Sequence, residues 1–292
     1  MMHKPQPIDS FENLRSRLDR LFKEPSKRKS GTDQLPLSLS LPSNPEREIN
    51  HPSESVAEFL NFLTDSLPDG DLYLFGGILR DVALLGRRGF SSDIDVVVEG
   101  SWDNCVSYLE HLGASKNKFG GYRLEVAGWP VDIWNAKETW AIRQGLVPYR
   151  SIASLTETTV LNWDAILMNW RTRNFVCREN YIEELKLRML DIVLEQNPNP
   201  LGMTVRVLRH LYMKDARKIS SSAAEYLANC ARTYRFEDVK NYEISSYKNS
   251  VIQPAIYRFF EYLNEYDDLD IRHRFSIASD LLERELGLEK PD

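Results

Sequence analysis

Apolar residues recur along the chain with different periods, and the change of period divides it into segments. Between residues 10 and 22 an apolar side chain returns every three or four positions, which predicts a short amphipathic helix. The residues that follow are rich in Ser, Pro and charge, so segment 1–50 is expected to be a short helix plus a flexible linker. A Ser-x-x-Glu capping box at Ser55 then predicts the start of the next helix.

Short apolar runs alternate with helical segments between residues 51 and 196. The runs predict strands at 72–75, 94–98, 122–126, 130–134, 160–170 and 173–177. A helix is expected over 78–85, and Ser101 is expected to cap another that ends at Gly113. The expected fold class is therefore α+β, with a small mixed sheet and helices in 51–196 followed by an all-α domain over 197–292.

Composition excludes several classes of protein. The chain has 292 residues, 42% of them hydrophobic, and a formal net charge of −6. No apolar run approaches the ~18 residues of a membrane helix, and the N-terminus lacks an apolar signal core, so we expect a cytoplasmic protein with no membrane partner. The three cysteines, Cys105, Cys177 and Cys230, are too far apart for a disulfide framework or a CxxC metal site. The mild acidity argues against a nucleic-acid coat protein but is compatible with a local basic groove.

The stretch 74–98, LFGGILRDVALLGRRGFSSDIDVVV, combines residue types that suit phosphate chemistry. Gly76 and Gly77 lie between a predicted strand and a predicted helix. Because glycine has no side chain, backbone N–H groups can approach a ligand closely there, and the helix N-terminus favours an anion. Arg80, one turn into the helix, can donate to the same anion.

Carboxylates follow at the start of the next strand. Asp93 and Asp95 point to one face of strand 94–98 because strand side chains alternate. Asp132 alternates with apolar neighbours in strand 130–134 in the same way. If the two strands are neighbours, the three carboxylates converge as the ligand set of a two-metal site. All three are therefore candidate catalytic and metal-binding residues.

Each of these features has a simpler structural explanation when it stands alone. A Gly-Gly pair after a strand usually makes a turn, and an Asp at a strand edge is usually solvated. Their ordered combination within 74–98 is much more specific and favours nucleotidyl transfer.

The blocks GGILRD (76–81), LLG (84–86) and DIDVVV (93–98) resemble the head-domain signature of a known family. That family comprises the tRNA CCA-adding enzymes and bacterial poly(A) polymerases, within the DNA polymerase β nucleotidyltransferase superfamily. The resemblance implies a polymerase β-like nucleotidyltransferase head. It also implies transfer of NMP from NTP with release of pyrophosphate, supported by two Mg²⁺ ions for which Mn²⁺ can substitute.

The resemblance also implies roles for individual residues. Asp93 and Asp95 match the family's metal ligands, and Gly76, Gly77 and Arg80 match positions near the triphosphate.

Weaker resemblance to the same family continues over 161–168, 181–193 and 197–209. The last segment is similar to the start of the family's neck helix. This similarity implies nucleotide-binding roles for Arg206 and Arg209.

The chain departs from the family pattern at three places. The gap between the RD and DxD elements holds about three extra residues around 87–90. The family's Arg-Arg-Asp run is replaced by Thr-Thr-Val at 158–160. In the neck helix the family has an acidic pair that, with a following Arg, reads the Watson–Crick edge of the incoming base. Gly202 and Met203 fill the acidic positions here, and Arg206 remains. Because an Arg alone supplies no acceptor, we expect relaxed nucleotide selection, or selection by other residues, rather than an ordered C-C-A programme.

A basic stripe is predicted on a helix expected over 200–218. Its members, at helical spacing, are Arg206, His210, Lys214 and Arg217. Such a stripe is either a solvated helix face or a surface that follows an RNA backbone or holds a triphosphate.

These patterns favour a nucleotidyltransferase (EC 2.7.7 class) that uses NTP to extend an RNA 3′ end, with a tRNA-like RNA as the first candidate acceptor. One alternative keeps the chemistry but transfers to a protein, a small molecule or another nucleotide, as toxin, defence or signalling enzymes do. The other alternative is a catalytically silent nucleotide-binding protein, which the complete set of glycines and carboxylates disfavours. The sequence leaves the oligomeric state open.

Overall fold

The computed structural model of the protein describes residues 6–23, 55–90, 92–214 and 216–264, which form a mixed α+β structure. The helices are α1 (Phe11–Lys23), α2 (Val56–Asp65), α3 (Gly77–Leu85), α4 (Trp102–His111), α5 (Trp140–Arg143), α6 (Tyr181–Leu187), α7 (Pro200–Met213), α8 (Ser221–Thr233), α9 (Phe236–Tyr247) and α10 (Pro254–Asn264). The strands are β1 (Asp71–Phe75), β2 (Ile94–Glu99), β3 (Ser115–Lys116), β4 (Tyr122–Val126), β5 (Trp129–Asn135), β6 (Ile166–Asn169), β7 (Phe175–Cys177), β8 (Met189–Leu190) and β9 (Lys218–Ile219). The predicted linker of segment 1–50 and the end of the predicted tail lie outside the described residues. None of the described helices is long and apolar enough to span a membrane.

Seven strands form one mixed sheet in the order β3-β4-β5-β2-β1-β6-β7. β2 and β5 run parallel, whereas the other neighbouring pairs in this sheet are antiparallel. The α+β class expected from the sequence is therefore confirmed. The parallel pair also makes neighbours of the two strands whose carboxylates were expected to converge.

The sheet separates two apolar clusters. Val96 and Val98 of β2 lie in the main core, which also contains the apolar residues of α3. Val97 lies on the opposite face, in a smaller cluster with Tyr73. Because strand side chains alternate, Asp95 shares the face of Val97 and points away from the main core.

The predicted N-terminal helix is confirmed as α1 and packs directly on the sheet domain. Leu14 and Leu18 are fully buried, and the ring of Phe11 stacks on Phe175 at 5.0 Å between centroids. Arg17 donates to two carbonyls in the last turn of α3, at 3.0 and 3.2 Å. Helix α1 is therefore an integral part of this domain.

The strand expected over 160–170 is wrong in its first half. Residues Asn162–Asp164 form a 3-10 turn, and the strand is confined to β6. The Asn162 side chain explains the turn, because it donates to the Met189 carbonyl at 3.1 Å and accepts from the Asp191 N–H at 2.9 Å. These bonds fix the chain in a bend that holds Asp164 near α3.

Ser101 precedes α4 but does not cap it through its side chain, contrary to expectation. Its φ is +49°, which is left-handed rather than the extended conformation typical of an N-cap. Its hydroxyl instead accepts from the Asp69 N–H at 3.3 Å.

The described part of the region after residue 197 consists of the helices α7 to α10 and the two-residue strand β9. β9 pairs in parallel with β8, which lies before the tail in the chain. Helix α7 accordingly ends at Met213 instead of continuing to 218. The predicted basic stripe is interrupted, because Arg206 and His210 lie on α7 while Lys214 and Arg217 follow it.

The packing of α1 gives a stability prediction. Leu18→Ala should lower the free energy of unfolding by about 2 to 5 kcal/mol, because it leaves a cavity at a fully buried position. Ser16→Ala on the exposed face of the same helix should change it by less than about 0.5 kcal/mol. Urea unfolding measures both variants. Equal stability of Leu18→Ala and the wild type would show that α1 does not pack on the domain in solution.

Candidate active site

The N-terminus of α3 lies just beyond β1, where the chain turns through Gly76. The φ of Gly76 is +59°, a conformation that side chains disfavour, and its N–H donates to the Ile166 carbonyl at 3.0 Å. Gly77 starts α3, and a Cβ there would approach Ser92 Oγ at 3.4 Å. Both predicted glycines therefore lie at a helix N-terminus, whose unpaired backbone N–H groups favour an anion.

The three predicted carboxylates come together at one end of the sheet. Asp95 and Asp132 are register partners on the parallel strands β2 and β5. Arg123, the partner of Asp132 on β4, donates from Nε to Asp132 Oδ1 at 2.7 Å and from Nη2 to Asp93 Oδ2 at 2.6 Å. An arginine that the sequence patterns did not single out thus bridges two of the carboxylates.

Asp95 is partly buried, and its environment is strongly negative. Burial raises the pKa of Asp95 to about 7, and the attraction of Arg206 only partly offsets this effect. The neighbouring charges of Asp132, Asp93 and Asp164 raise the pKa further. A cation close to Asp95 would therefore stabilise its ionised form.

Arg80 holds two other carboxylates. Its side chain is buried, its Nε donates to Asp81 Oδ1 at 2.8 Å, and its Nη1 donates to Asp164. Arg80 is therefore placed near the predicted site, but its guanidinium is engaged by the protein. Asp164 was missed because the sequence pattern assigned it to a strand instead of a turn.

A cavity of about 350 Å³ lies between α3 and α7. The residues that line it are Arg80, Asp81, Ser92, Arg206, Arg209, His210, Met213, Lys214 and Tyr247. Arg209 lies in its wall with its guanidinium bound to Glu243 and to Asn249 Oδ1, the latter at 2.9 Å. The guanidinium of Arg206 has no hydrogen-bond or ion-pair partner among the described residues.

His210 lines this cavity and holds a buried acceptor without a partner. Its Nδ1 lies 2.7 Å from the Arg206 carbonyl, which can only accept, so Nδ1 carries the proton. Burial lowers the pKa of His210 well below its usual value, and the charges of Arg80, Arg206 and Lys214 lower it further. The imidazole is therefore neutral, and its Nε2 is buried without a partner in the described part of the chain.

Asp81, which also lines this cavity, holds a second buried acceptor. Its Oδ1 accepts from Arg80 and lies 2.9 Å from Lys214 Nζ. Its Oδ2 is buried and has no partner within the described ranges. The predicted basic stripe is therefore not a solvated face at these positions, because His210 and Lys214 form part of a cavity wall.

No group of three or more His, Cys, Asp or Glu side chains in the described residues is arranged to hold a metal ion as it stands. Near Asp132 and Asp93, Arg123 occupies the space between the carboxylate oxygens.

Comparison with known proteins gives weak structural likeness. The chain is similar to a Thermotoga maritima CCA-adding enzyme in complex with tRNA, at 14% identity and a TM-score of 0.46, over 78% of this chain and 62% of that one. It is similar to a CCA-adding enzyme in complex with CTP, at 14% identity and a TM-score of 0.45, over 79% and 66% of the two chains. It is also similar to a tRNA-processing enzyme in an apo form, at 15% identity and a TM-score of 0.45, over 82% of this chain and 73% of that one. The chain thus spans less than two thirds of the length of the first two proteins. No family profile and no curated protein matches the sequence.

The environment of Asp95 predicts a dependence of stability on pH. Because its pKa is raised on folding, from 3.8 to about 7, this carboxyl reduces the stability of the folded protein as the pH rises through that range. In metal-free buffer, Asp95→Asn should therefore raise the Tm by a few degrees at pH 8 and by much less at pH 5. Glu157→Gln, which removes an exposed carboxylate, is the control. A Tm gain for Asp95→Asn that is equal at both pH values would contradict the prediction.

Proposed function

We propose that the protein is a nucleotidyltransferase that transfers NMP from NTP to the 3′ end of an RNA, with release of pyrophosphate. The observation that carries this proposal is the pairing of Asp95 with Asp132 on adjacent strands, close to the helix N-terminus formed by Gly76 and Gly77. Carboxylates and an anion-binding helix end are the two parts that a phosphoryl-transfer site requires.

The carboxylates suit Mg²⁺, with Mn²⁺ as a substitute. The donor set consists of oxygen atoms alone, which hard divalent cations prefer, and two metal ions are expected. Asp95 is partly buried among like charges, and the Arg123 guanidinium stands between Asp93 and Asp132 in place of another cation. Asp93, Asp95 and Asp132 would hold the metal after Arg123 moves aside. Bound Mg²⁺ would lower the pKa of an attacking hydroxyl and offset charge on the leaving pyrophosphate.

The remaining residues divide into binding and positioning roles. The backbone N–H of Gly77, which follows the turn at Gly76, is suited to the triphosphate, and the guanidinium of Arg206 is suited to the nucleotide. Arg80 and Arg209 act as positioning residues, because carboxylates of the protein already engage them. The hydroxyl oxygen of the acceptor forms a bond to the α-phosphorus as the bond to the bridging oxygen of pyrophosphate breaks.

The surface next to the carboxylates favours a polyanionic acceptor. In the hairpin that carries Arg123, exposed Lys118 lies 4.9 Å from the exposed ring of Phe119, and exposed Lys116 lies 5.9 Å from the ring of Tyr122. Basic side chains with an aromatic ring are typical of surfaces that bind single-stranded nucleic acid. A tRNA-like RNA in the cytoplasm is therefore the first acceptor to test, ahead of a protein, a small molecule or another nucleotide.

Label transfer tests the proposed activity. Purified protein is incubated with each α-³²P-labelled NTP, Mg²⁺ and total tRNA, with protein-only and small-molecule fractions in parallel. Label on RNA supports the proposal, and label on protein or a small molecule identifies the alternative acceptor. Absence of label transfer to any acceptor, with NTP binding retained, would indicate a silent nucleotide-binding protein.

The carboxylates give an activity prediction. Asp93→Asn and Asp95→Asn should each reduce turnover to below about a tenth of wild type without loss of folding, because each removes a charge that would hold the metal. The control is Glu157→Gln, whose carboxylate is exposed and lies outside the site. Turnover above that level in either aspartate variant, measured by label transfer, argues against the metal-dependent proposal.

Arg123 gives a prediction on metal affinity. Because its guanidinium occupies the oxygens of Asp93 and Asp132, Arg123→Gln should bind Mn²⁺ at least about tenfold more tightly than wild type. Arg143→Gln removes a nearby exposed charge that pairs with Glu138, and it serves as the control. Electron paramagnetic resonance of free Mn²⁺ measures the affinity without any need for turnover. Weaker Mn²⁺ binding by Arg123→Gln than by Arg143→Gln would show that Arg123 does not compete with the metal.

A further inference from the structure

One carboxylate at the N-terminus of α3 has no role in the proposed reaction. Asp164 accepts from Arg80 Nη1, and its backbone oxygen lies 3.5 Å from where a Cβ at Gly76 would stand. The guanidinium of Arg80 turns back along the helix to the same place, since its Nη2 lies 3.6 Å from the position of a Cβ at Gly77. The Arg80–Asp164 ion pair therefore lies beside both glycines of the turn.

Asp164 is the principal partner of Arg80. Burial alone would lower the pKa of Arg80, but the charge of Asp164, followed by that of Asp81, raises it above the usual value. Asp81 is shared with Lys214, whose Nζ lies 2.9 Å from the same oxygen that Arg80 contacts. Asp164 has no other ion-pair partner among the described residues. Loss of the Asp164 contact would therefore leave the charge of Arg80 only partly compensated and its Nη1 without an acceptor.

The donors around Asp164 also suit a phosphate group. Carboxylate and phosphate oxygens accept from a guanidinium in the same geometry. Arg80 Nη2 has no hydrogen-bond partner within the described ranges, and the Ser92 hydroxyl lies 3.4 Å from the Cβ position at Gly77. The charge of Asp164 also acts on Asp95. Asp164 thus adds a negative charge where the phosphates of an NTP would lie.

Asp164 is the more accessible member of the ion pair. Its side chain is 13% exposed, against 3% for Arg80, so Asp164 covers the contact on the solvent side. It ends the 3-10 turn Asn162–Asp164, whereas Arg80 is fixed within α3 and by its bond to Asp81. Rotation of the Asp164 side chain would therefore expose Arg80 Nη1 to a ligand that arrives from solvent.

We infer that Asp164 is an internal competitor of the substrate: it occupies the Arg80 guanidinium in place of a phosphate group and lowers the affinity of the protein for triphosphates. This inference rests on the proposed function, because it places the triphosphate of the NTP at the N-terminus of α3. Arg123 has the corresponding position for the metal, because it occupies oxygens of Asp93 and Asp132 in place of a divalent cation. The affinity for NTP then depends on the difference between two anions that compete for Arg80.

Asp164→Asn tests the inference, because the amide keeps the size of the side chain and removes its charge. Isothermal titration calorimetry with Mg²⁺ present should give Kd values at least about fivefold lower for the variant than for the wild type, with ATP and with inorganic tripolyphosphate alike. Asp103→Asn removes an exposed carboxylate at the start of α4 and should leave both Kd values unchanged. Equal or weaker binding of either probe by folded Asp164→Asn would overturn the inference and leave the proposed function standing. Failure of both probes to bind wild type and variant would overturn the proposed function as well.

The wild-type protein provides a second test that does not depend on the folding of the variant, which thermal unfolding establishes. Crystals of the wild type with Mg²⁺ and a non-hydrolysable ATP analogue should show a phosphate oxygen within hydrogen-bond distance of Arg80 Nη1, with the Asp164 carboxylate turned away. An intact Arg80–Asp164 ion pair with the triphosphate bound at the N-terminus of α3 would overturn the inference.

Discussion

The arrangement of the site depends on one electrostatic constraint: partly buried carboxylates of like charge occupy neighbouring positions on adjacent strands. The parallel pairing of β2 with β5 places Asp95 beside Asp132, and the hydrogen bonds of the sheet hold the two backbones in that register. Such an arrangement is unfavourable unless cations compensate it. Arg123 supplies one cation from β4, and the charge of Arg206 on α7 acts on Asp95.

Helix α3 connects this constraint to the rest of the molecule. Its N-terminus carries the glycine turn, and one turn further Arg80 binds both Asp81 and Asp164. Asp81 in turn pairs with Lys214, which directly follows α7. A chain of ion pairs therefore joins the first turn of α3 to the cavity wall and to the end of the helix that carries Arg206 and His210.

The parts of this structure that follow from local patterns were predictable from the sequence. The alternation of strand residues placed Asp95 and Asp132 on exposed sheet faces, and helical spacing identified α1. Other features depend on contacts between segments that are distant in the chain. Asp164 is in a turn because Asn162 bonds to residues that follow α6, and Arg123 enters the site because β4 pairs with β5. The strand β9 in the tail could not be predicted, because a strand of two residues has no period that a sequence pattern can reveal.

The most direct test of this account is the position of a divalent cation relative to Arg123. Crystals of the protein grown with Mn²⁺ and a non-hydrolysable NTP analogue would be measured at a wavelength where manganese scatters anomalously. The account predicts an anomalous peak within coordination distance of Asp95 and Asp132, with the Arg123 guanidinium displaced from Asp93. An Arg123 that still bridges Asp93 and Asp132, with the analogue bound and no anomalous peak between the carboxylates, would contradict it.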